Sequence, residues 1–338
     1  MNRIDELIRE YCPDGVEIRY LEDCCNLLDK KRKPITKASR EAGEYPYYGA
    51  NGIQDYVANY IFDGTYVLVG EDGSVITKEG TPIVTWAKGK IWVNNHAHII
   101  EEKEGVMLRY LYHYLQTIDV TSLIHGNIPK LTGGDFKALK IAVPPLEVQR
   151  EIVRVLDSFT LLTAELTAEL TARKKQYEFY RDKLLSHDRN YPMKPLADLG
   201  KWSGGKTPSM SEKSFWEQGT IPWISSKDMK ASTLVDTQDH ITEKAVKEAS
   251  MTVYPANSIA VVTRSGILKH TFPVAYVPFE TTINQDIKML VVNEDILPRY
   301  AFHLIQGKGK DILVKTKKQG GTVDSLDFQK VLAYKVPV

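Results

Sequence analysis

The chain has no run of about 18 apolar residues, so no segment is expected to cross a bilayer as a helix. Met1 leads directly into Arg3, Asp5 and Glu6, where a signal peptide would need an apolar stretch, and none is expected. Cysteine is scarce. Three residues, two of them adjacent at Cys24 and Cys25, offer neither a disulfide framework nor zinc-ligand spacing. They suit a reducing cytoplasm, as small buried side chains. An excess of either charge is missing too: 44 Lys and Arg against 43 Asp and Glu leave a net charge of +1, so bulk charge gives no polycation signature. There is no glycine-rich dinucleotide or phosphate loop and no acidic-lysine nuclease core. The Asn/Asp-Pro-Pro-aromatic motif of amino-methyltransferases is also absent, since Val143-Pro144-Pro145-Leu146 lacks its first and last residues. Three enzyme classes thus lose their usual signatures together.

What is present is an internal repeat. Tyr45-Pro46-Tyr47-Tyr48 is answered by Ile221-Pro222-Trp223-Ile224. Tyr66-Val67-Leu68-Val69 with Asp72-Gly73-Ser74 is answered by Ser258 to Val262 with Arg264-Ser265-Gly266. Asn94 to Ile100 matches Asn284 to Leu290, Leu108-Arg109-Tyr110 matches Pro298-Arg299-Tyr300, and Asp135-Phe136 leading to Val143-Pro144 matches Asp327-Phe328 leading to Val336-Pro337. The order is kept throughout, at a nearly constant offset for all but the first match and one far longer than a solenoid period, which indicates two homologous domains. Their short β-rich runs predict α/β (α+β) domains with twisted, mainly antiparallel sheets. The expected boundaries are 1–144, a helix over 145–187, and 188–338.

The helix follows from Pro144-Pro145, tolerated in a first helical turn, and from the lack of proline or glycine until Pro192. That leaves about 42 residues, or ~63 Å. Ile152, Leu156, Phe159, Leu166, Leu170, Tyr177, Tyr180 and Leu184 recur along it in steps of three and four, with Thr163 and Arg173 as misfits, which gives a coiled-coil stripe that calls for a partner helix or subunit. Thr163-Ala164-Glu165-Leu166 is followed at once by Thr167-Ala168-Glu169-Leu170. Two similar modules separated by a stiff spacer suggest recognition of a two-part target.

The segment from Pro144 to Ile152, the Thr-Ala-Glu-Leu repeats, and Gly204-Gly205-Lys206-Thr207-Pro208-Ser209 followed by Ile221 to Asp228 resemble the DNA-specificity subunit of Type I restriction-modification enzymes, over essentially the whole chain. The resemblance implies two target-recognition domains, each reading one part of a split double-stranded DNA site, and a cytoplasmic, non-catalytic subunit. It implies as partners two methyltransferase subunits, which bind the S-adenosylmethionine and methylate adenine, and a motor-nuclease subunit. This chain itself is expected to bind no cofactor and no metal. The family pattern has a second helix pairing antiparallel with the first. This sequence departs from it there, so the stripe is expected to meet methyltransferase subunits or a second copy of the chain.

Base edges are read by hydrogen-bonding side chains, while phosphates are held by Lys, Arg, Ser and Thr. In the first half the expected DNA-binding residues are Lys31, Arg32, Lys33, Tyr47, Tyr48, Asn51, Asn127 and Lys130. In the second half they are Lys206, Thr207, Ser225, Ser226, Lys227, Arg264, Lys317, Lys318 and Gln319. His96 and His98 read as alternating residues on one strand face, where the other half has Asp286 and Lys288. Two other readings stand beside this one: a stand-alone two-headed DNA-binding regulator, and a nuclease or methyltransferase whose site has no recognised motif.

Overall fold

The computed structural model describes residues 3–185, 191–318 and 323–338. They pack as two units, Met1–Ala168 and Glu169–Val338. Unit 1 opens with α1 (Arg3–Tyr11), β1 (Glu17–Tyr20), the one-turn α2 (Leu21–Cys24) and β2 (Cys25–Leu27). Then come β3 (Ala42–Gly49), β4 (Gly52–Val57), β5 (Phe62–Gly70), β6 (Val84–Val93) and β7 (Ala97–Glu102), which form a six-stranded sheet in the order β2-β7-β5-β6-β3-β4. After α3 (Leu108–Leu115), the short pair β8 (Ile124–His125) and β9 (Lys130–Leu131), and α4 (Gly133–Lys137), strand β10 (Lys140–Val143) returns to pair antiparallel with β1. Strand β5 is apolar on both faces because both are covered. Val67 and Val69 pack with Leu111 and Leu115 of α3, while Tyr66 and Leu68 pack with Ala87 and Ile91 of β6.

Helix α5 (Leu146–Leu185, 40 residues) begins after Pro144-Pro145. Its first turn is locked by the fully buried Gln149. The amide of Gln149 donates to the carbonyls of Pro144 (2.7 Å) and Gly105 (3.1 Å), and its oxygen accepts from the Met107 N–H (2.9 Å). About two turns further on, Asp157 accepts from Arg109 Nε (2.8 Å) and lies 2.7 Å from His113 Nε2, both on α3.

Unit 2 holds β11 (Met193–Pro195), β12 (Gly200–Gly204), β13 (Ile221–Ile224), β14 (Asp239–Ile241), α6 (Glu243–Glu248), β15 (Ser258–Val262), β16 (Val274–Val277), β17 (Thr282–Ile283), β18 (Ile287–Val292), α7 (Pro298–Thr316), α8 (Phe328–Ala333) and β19 (Lys335–Pro337). Its four-stranded sheet, β12-β18-β15-β16, repeats β2-β7-β5-β6 of unit 1, and β11 with β19 repeats β1 with β10. The parallel contact of β3 with β6 recurs as β13 with β17. One ten-residue strand in unit 1, β6, is two strands in unit 2, because Pro278 cannot donate to a ladder and breaks the run between Val277 and Thr282. Strand β13 therefore lies in a separate sheet, β14-β13-β17. The architecture is the expected one: two repeated α/β units with mainly antiparallel sheets and a long helix between the two matched modules.

Two details differ from the sequence reading. The Asp135/Asp327 match joins aspartates in different roles. Asp327 is the N-cap of α8, whereas Thr132 caps α4 and Asp135 sits three residues inside it. The adjacent phenyl rings do meet equivalent strand residues: Phe136 stacks on His98 (4.3 Å) and Phe328 lies under the Lys288 ammonium (5.5 Å). His96 and His98 do not share a strand face, because His96 lies in the turn before β7 and only His98 is in the strand, pointing inward.

Candidate nucleic-acid interface

The same corner recurs in both units, at one end of the sheet, and most loop candidates gather there. In unit 1, Asn94 N–H donates to Tyr48 O (3.0 Å), and the Asn94 side chain accepts from His96 N–H (2.8 Å), closing a turn. In unit 2, Asn284 N–H donates to Ile224 O (3.0 Å), and the Asn284 side-chain oxygen accepts from Asp286 N–H (3.0 Å). The turn after β5 is held by Glu71 N–H to His96 O (2.9 Å), and that after β15 by Thr263 N–H to Asp286 O (2.8 Å). A third loop arrives when Leu131 N–H donates to Glu71 O and Leu326 N–H to Thr263 O.

The loops after β2 and β12 close the corner. Lys33 N–H donates to Val93 O, and its carbonyl accepts from Trp92 Nε1 (2.6 Å). Lys206 N–H donates to Ile283 O, and its carbonyl accepts from Trp223 Nε1 (3.1 Å). Lys33 and Lys206 are therefore structural equivalents, both exposed. The loop of Lys206 runs so close to β17 that a Cβ at Gly205 would lie 1.9 Å from Ile283 O, so glycine is required there.

In unit 1 Lys31, Lys33, Asn51 and Asn127 are exposed, Asn51 at the tip of the β3–β4 hairpin. Lys130 is exposed and paired with Glu71 at 3.3 Å. Arg32 is turned inward, with a side chain only 13% exposed. It donates to Glu71 (2.6 Å), Ala97 O (2.6 Å) and Asp29 O (2.9 Å), so it braces the corner rather than offering a charge to solvent. Tyr47 and Tyr48 are buried. The Tyr47 hydroxyl accepts from Ile35 N–H, and Arg40 covers its ring, so both tyrosines pack the sheet rather than face a ligand.

In unit 2 Lys206 and Thr207 are exposed, and the Thr207 hydroxyl donates to Gln285 Oε1. Ser225 is buried, its N–H and hydroxyl both bound by Asp228 in a turn that carries the half-buried Ser226 and exposes Lys227. Arg264 is exposed and pairs with Asp286 (2.6 Å). Lys317 pairs with Asp324 (2.9 Å), and Lys318 is exposed. Gln319 lies outside the described residues. Gln285 and Asp286, which line a recess of about 370 Å³ with Arg264, Lys288 and Lys318, were missed by the sequence reading. The Asn-x-Asp turn was the available signal.

Asp29, Glu71 and His98 bring one ligand atom each within 4.8 Å of one another, the only such group among the described residues. Arg32 and Lys130 already neutralise them, and His98 spans Asp29 (2.7 Å) and Leu131 O (3.1 Å), so the arrangement is that of an ion-pair network. Burial pushes the Asp29 carboxyl up, but the His98 bond and charge, the Ile99 N–H and Arg32 outweigh it and hold it below its ordinary range. The three cysteines are free and buried, and burial raises Cys25 to about 12, which leaves its thiol unreactive.

Along α5 the stripe is engaged at two places. Ile152 packs on the unit 1 core, while Leu156, Phe159, Leu166, Leu170, Tyr177, Tyr180 and Leu184 all stay exposed, Phe159 and Leu184 at 63%. Tyr177 nevertheless bonds through its hydroxyl to His303 Nδ1 (2.7 Å) and Gln306 Oε1 (2.8 Å) of α7, which makes a second docking point for the helix. No helix among the described residues is long and apolar enough to cross a membrane.

The chain matches the Type I restriction modification DNA specificity domain over residues 13–173 and 189–338. It is 45% identical over 240 residues to the Type I restriction enzyme EcoR124I/EcoR124II specificity subunit of Escherichia coli, a match spanning 69% of this chain and 59% of that protein. It is 33% identical over 325 residues to a putative type I restriction enzyme specificity subunit of Haemophilus influenzae, spanning 92% of this chain and 80% of the other. The crystal structure of a Type-I restriction-modification system S subunit from M. genitalium shares the fold, with a TM-score of 0.66 at 16% identity over 96% of this chain and 84% of that one. The two family matches coincide with the two copies of the corner, and the chain belongs to the Type I restriction-modification DNA-specificity family.

Proposed function

We propose that this chain is the reading subunit of a Type I restriction-modification complex, with each unit recognising one part of a bipartite double-stranded DNA target. The observation that carries the reading is the duplicated corner, where exposed lysines at equivalent positions, Lys33 and Lys206, flank turns that present side-chain donors and acceptors. Lysines of this kind suit phosphates, and the turns between them suit base edges. Near-neutral net charge fits a subunit whose DNA affinity is shared with its partners. In this reading the exposed stripe of α5 docks two methyltransferase subunits, which carry S-adenosylmethionine and methylate adenine, and a motor-nuclease subunit joins for restriction.

Methylome sequencing of cells expressing the chain with its cognate methyltransferase subunits tests this. The expected result is adenine methylation at one split motif that disappears when the chain is withdrawn. Methylation or cleavage by the purified chain alone would favour an enzyme instead. Sequence-specific binding without association with methyltransferase subunits would favour a regulator.

A further inference from the structure

The turns after β5 and β15 and before β7 and β18 carry a side-chain pair in each unit, with the acidic member on opposite turns. Asp72 pairs with His96 in unit 1, and at the same backbone positions Arg264 pairs with Asp286 in unit 2. Both members are fixed by the backbone bonds of the corner and by the Asn94 or Asn284 side chain. Arg264 Nε donates to Asp286 Oδ1 at 2.6 Å, and its two terminal nitrogens make no hydrogen bond among the described residues. The Arg264 side chain is 57% exposed and Asp286 23%, so the free end of the guanidinium faces outward and the carboxylate lies behind it.

A salt-bridged arginine of this kind is poorly suited to a phosphate. The pair has no net charge, and the carboxylate repels the anion; Lys288 and Lys318 on the same recess are better placed for that task. A base edge is neutral and is read by direction. The oriented fork of N–H groups matches the O6 and N7 acceptors of guanine, which a lysine cannot engage in the same way. We propose that Arg264 reads a guanine in the major groove of the target part bound by unit 2, with Asp286 as its positioning residue. This rests on the DNA-reading function proposed above. In unit 1 the His96 ring, tied to Asp72 through Nδ1, presents a single nitrogen and no fork, so this corner position makes no matching guanine contact there.

The test is methylome sequencing of cells carrying the whole complex with wild-type chain, Arg264→Lys, Arg264→Ala or Asp286→Asn, followed by binding of each complex to duplexes with the mapped motif. The wild-type motif should contain a guanine at one position where both Arg264 variants lose roughly tenfold to a hundredfold of their preference, the other positions being kept. Replacing that guanine with 7-deazaguanine should weaken wild-type binding and leave the lysine variant unmoved. Asp286→Asn leaves the pair with a net positive charge, so binding to unrelated DNA should strengthen and become more salt-sensitive while discrimination falls. A merely structural Asp286 would lower both. Full preference in Arg264→Lys, or an even loss across all sequences in Arg264→Ala, overturns the assignment while the reading function stands. Should the alanine variant fail to assemble, the lysine variant decides. A wild-type complex with no chain-dependent motif overturns both.

Discussion

Units 1 and 2 build one corner from the same backbone bonds and use charge in it differently. In unit 1 the arginine of the basic run is folded inward while Lys31 and Lys33 stay exposed. Arg32 lies against Glu71, His98 against Asp29, and Lys130 closes the network. In unit 2 the position of Glu71 is held by Thr263 and that of His98 by Lys288, and the cations Lys206, Arg264 and Lys318 are left at the surface. A lysine-arginine run in the sequence is thus not a count of charge available to a ligand. The first half shows the denser run, yet at this corner it is the second half that exposes an ion-paired arginine.

The two units should differ most at Arg32 and Lys206. Arg32→Ala should destabilise unit 1 by about 3 kcal/mol, the low end for a broken buried pair because Lys130 still reaches Glu71. The solvent-exposed Lys206→Ala should stay within about 0.5 kcal/mol. Hydrogen-exchange mass spectrometry of the full chain, read separately on peptides of the two units, checks this. Equal and small effects at both positions would mean that the Arg32 network is a surface feature after all.

Much of this was legible in the sequence, and the exceptions have a common cause. The repeat could be read because Tyr48 and Ile224, Asp72 and Arg264, Asn94 and Asn284 keep their order along the two halves, and those residues do occupy equivalent places. The helix could be read because prolines mark its start and nothing breaks it. The inward turn of Arg32 could not, since its partner Glu71 is 39 residues away and only the folded sheet brings them together. Tyr47 reads as an exposed aromatic beside a turn, but its parallel pairing with Trp92 places it in the interior. Long-range pairing decides burial, and local spacing does not carry it.

A third Thr-Ala-Glu-Leu after Leu170 lengthens the helix without touching either corner. Four more helical residues add ~6 Å and a net turn of about 40°. One base pair adds ~3.4 Å and about 34–36°. The rotations nearly match, so if the target is bipartite as proposed, the preferred spacer should lengthen by one base pair while both recognised parts keep their bases, as methylome sequencing would show. A changed base in either part would mean the corners do not read independently, and an unchanged spacer would reduce the repeat to ordinary helix.

The smallest expected effect separates the two docking points of α5 by pH. In unit 1 burial pushes Asp157 up from its ordinary 3.8, but its bonds to His113 and Arg109 outweigh this and leave it lowered. That contribution is present above pH 3.8 and is lost as pH falls through the depressed value. In unit 2 burial, aided by Arg299 and Arg181, lowers His303 from its ordinary 6.5, so the neutral ring that meets Tyr177 is favoured by the fold. Its contribution is complete above pH 6.5 and declines as pH falls through the lowered value, so the α7 dock should loosen first on acidification and the α3 dock only near the carboxylate range. Asp157 is 40% exposed, and solvent screening keeps its share below about 1 kcal/mol. Amide exchange at the two ends of α5, corrected for the intrinsic pH dependence of exchange, should therefore rise in two separate windows. Asp157→Asn should abolish only the more acidic step, and a single window shared by both ends would show that α5 opens as one body.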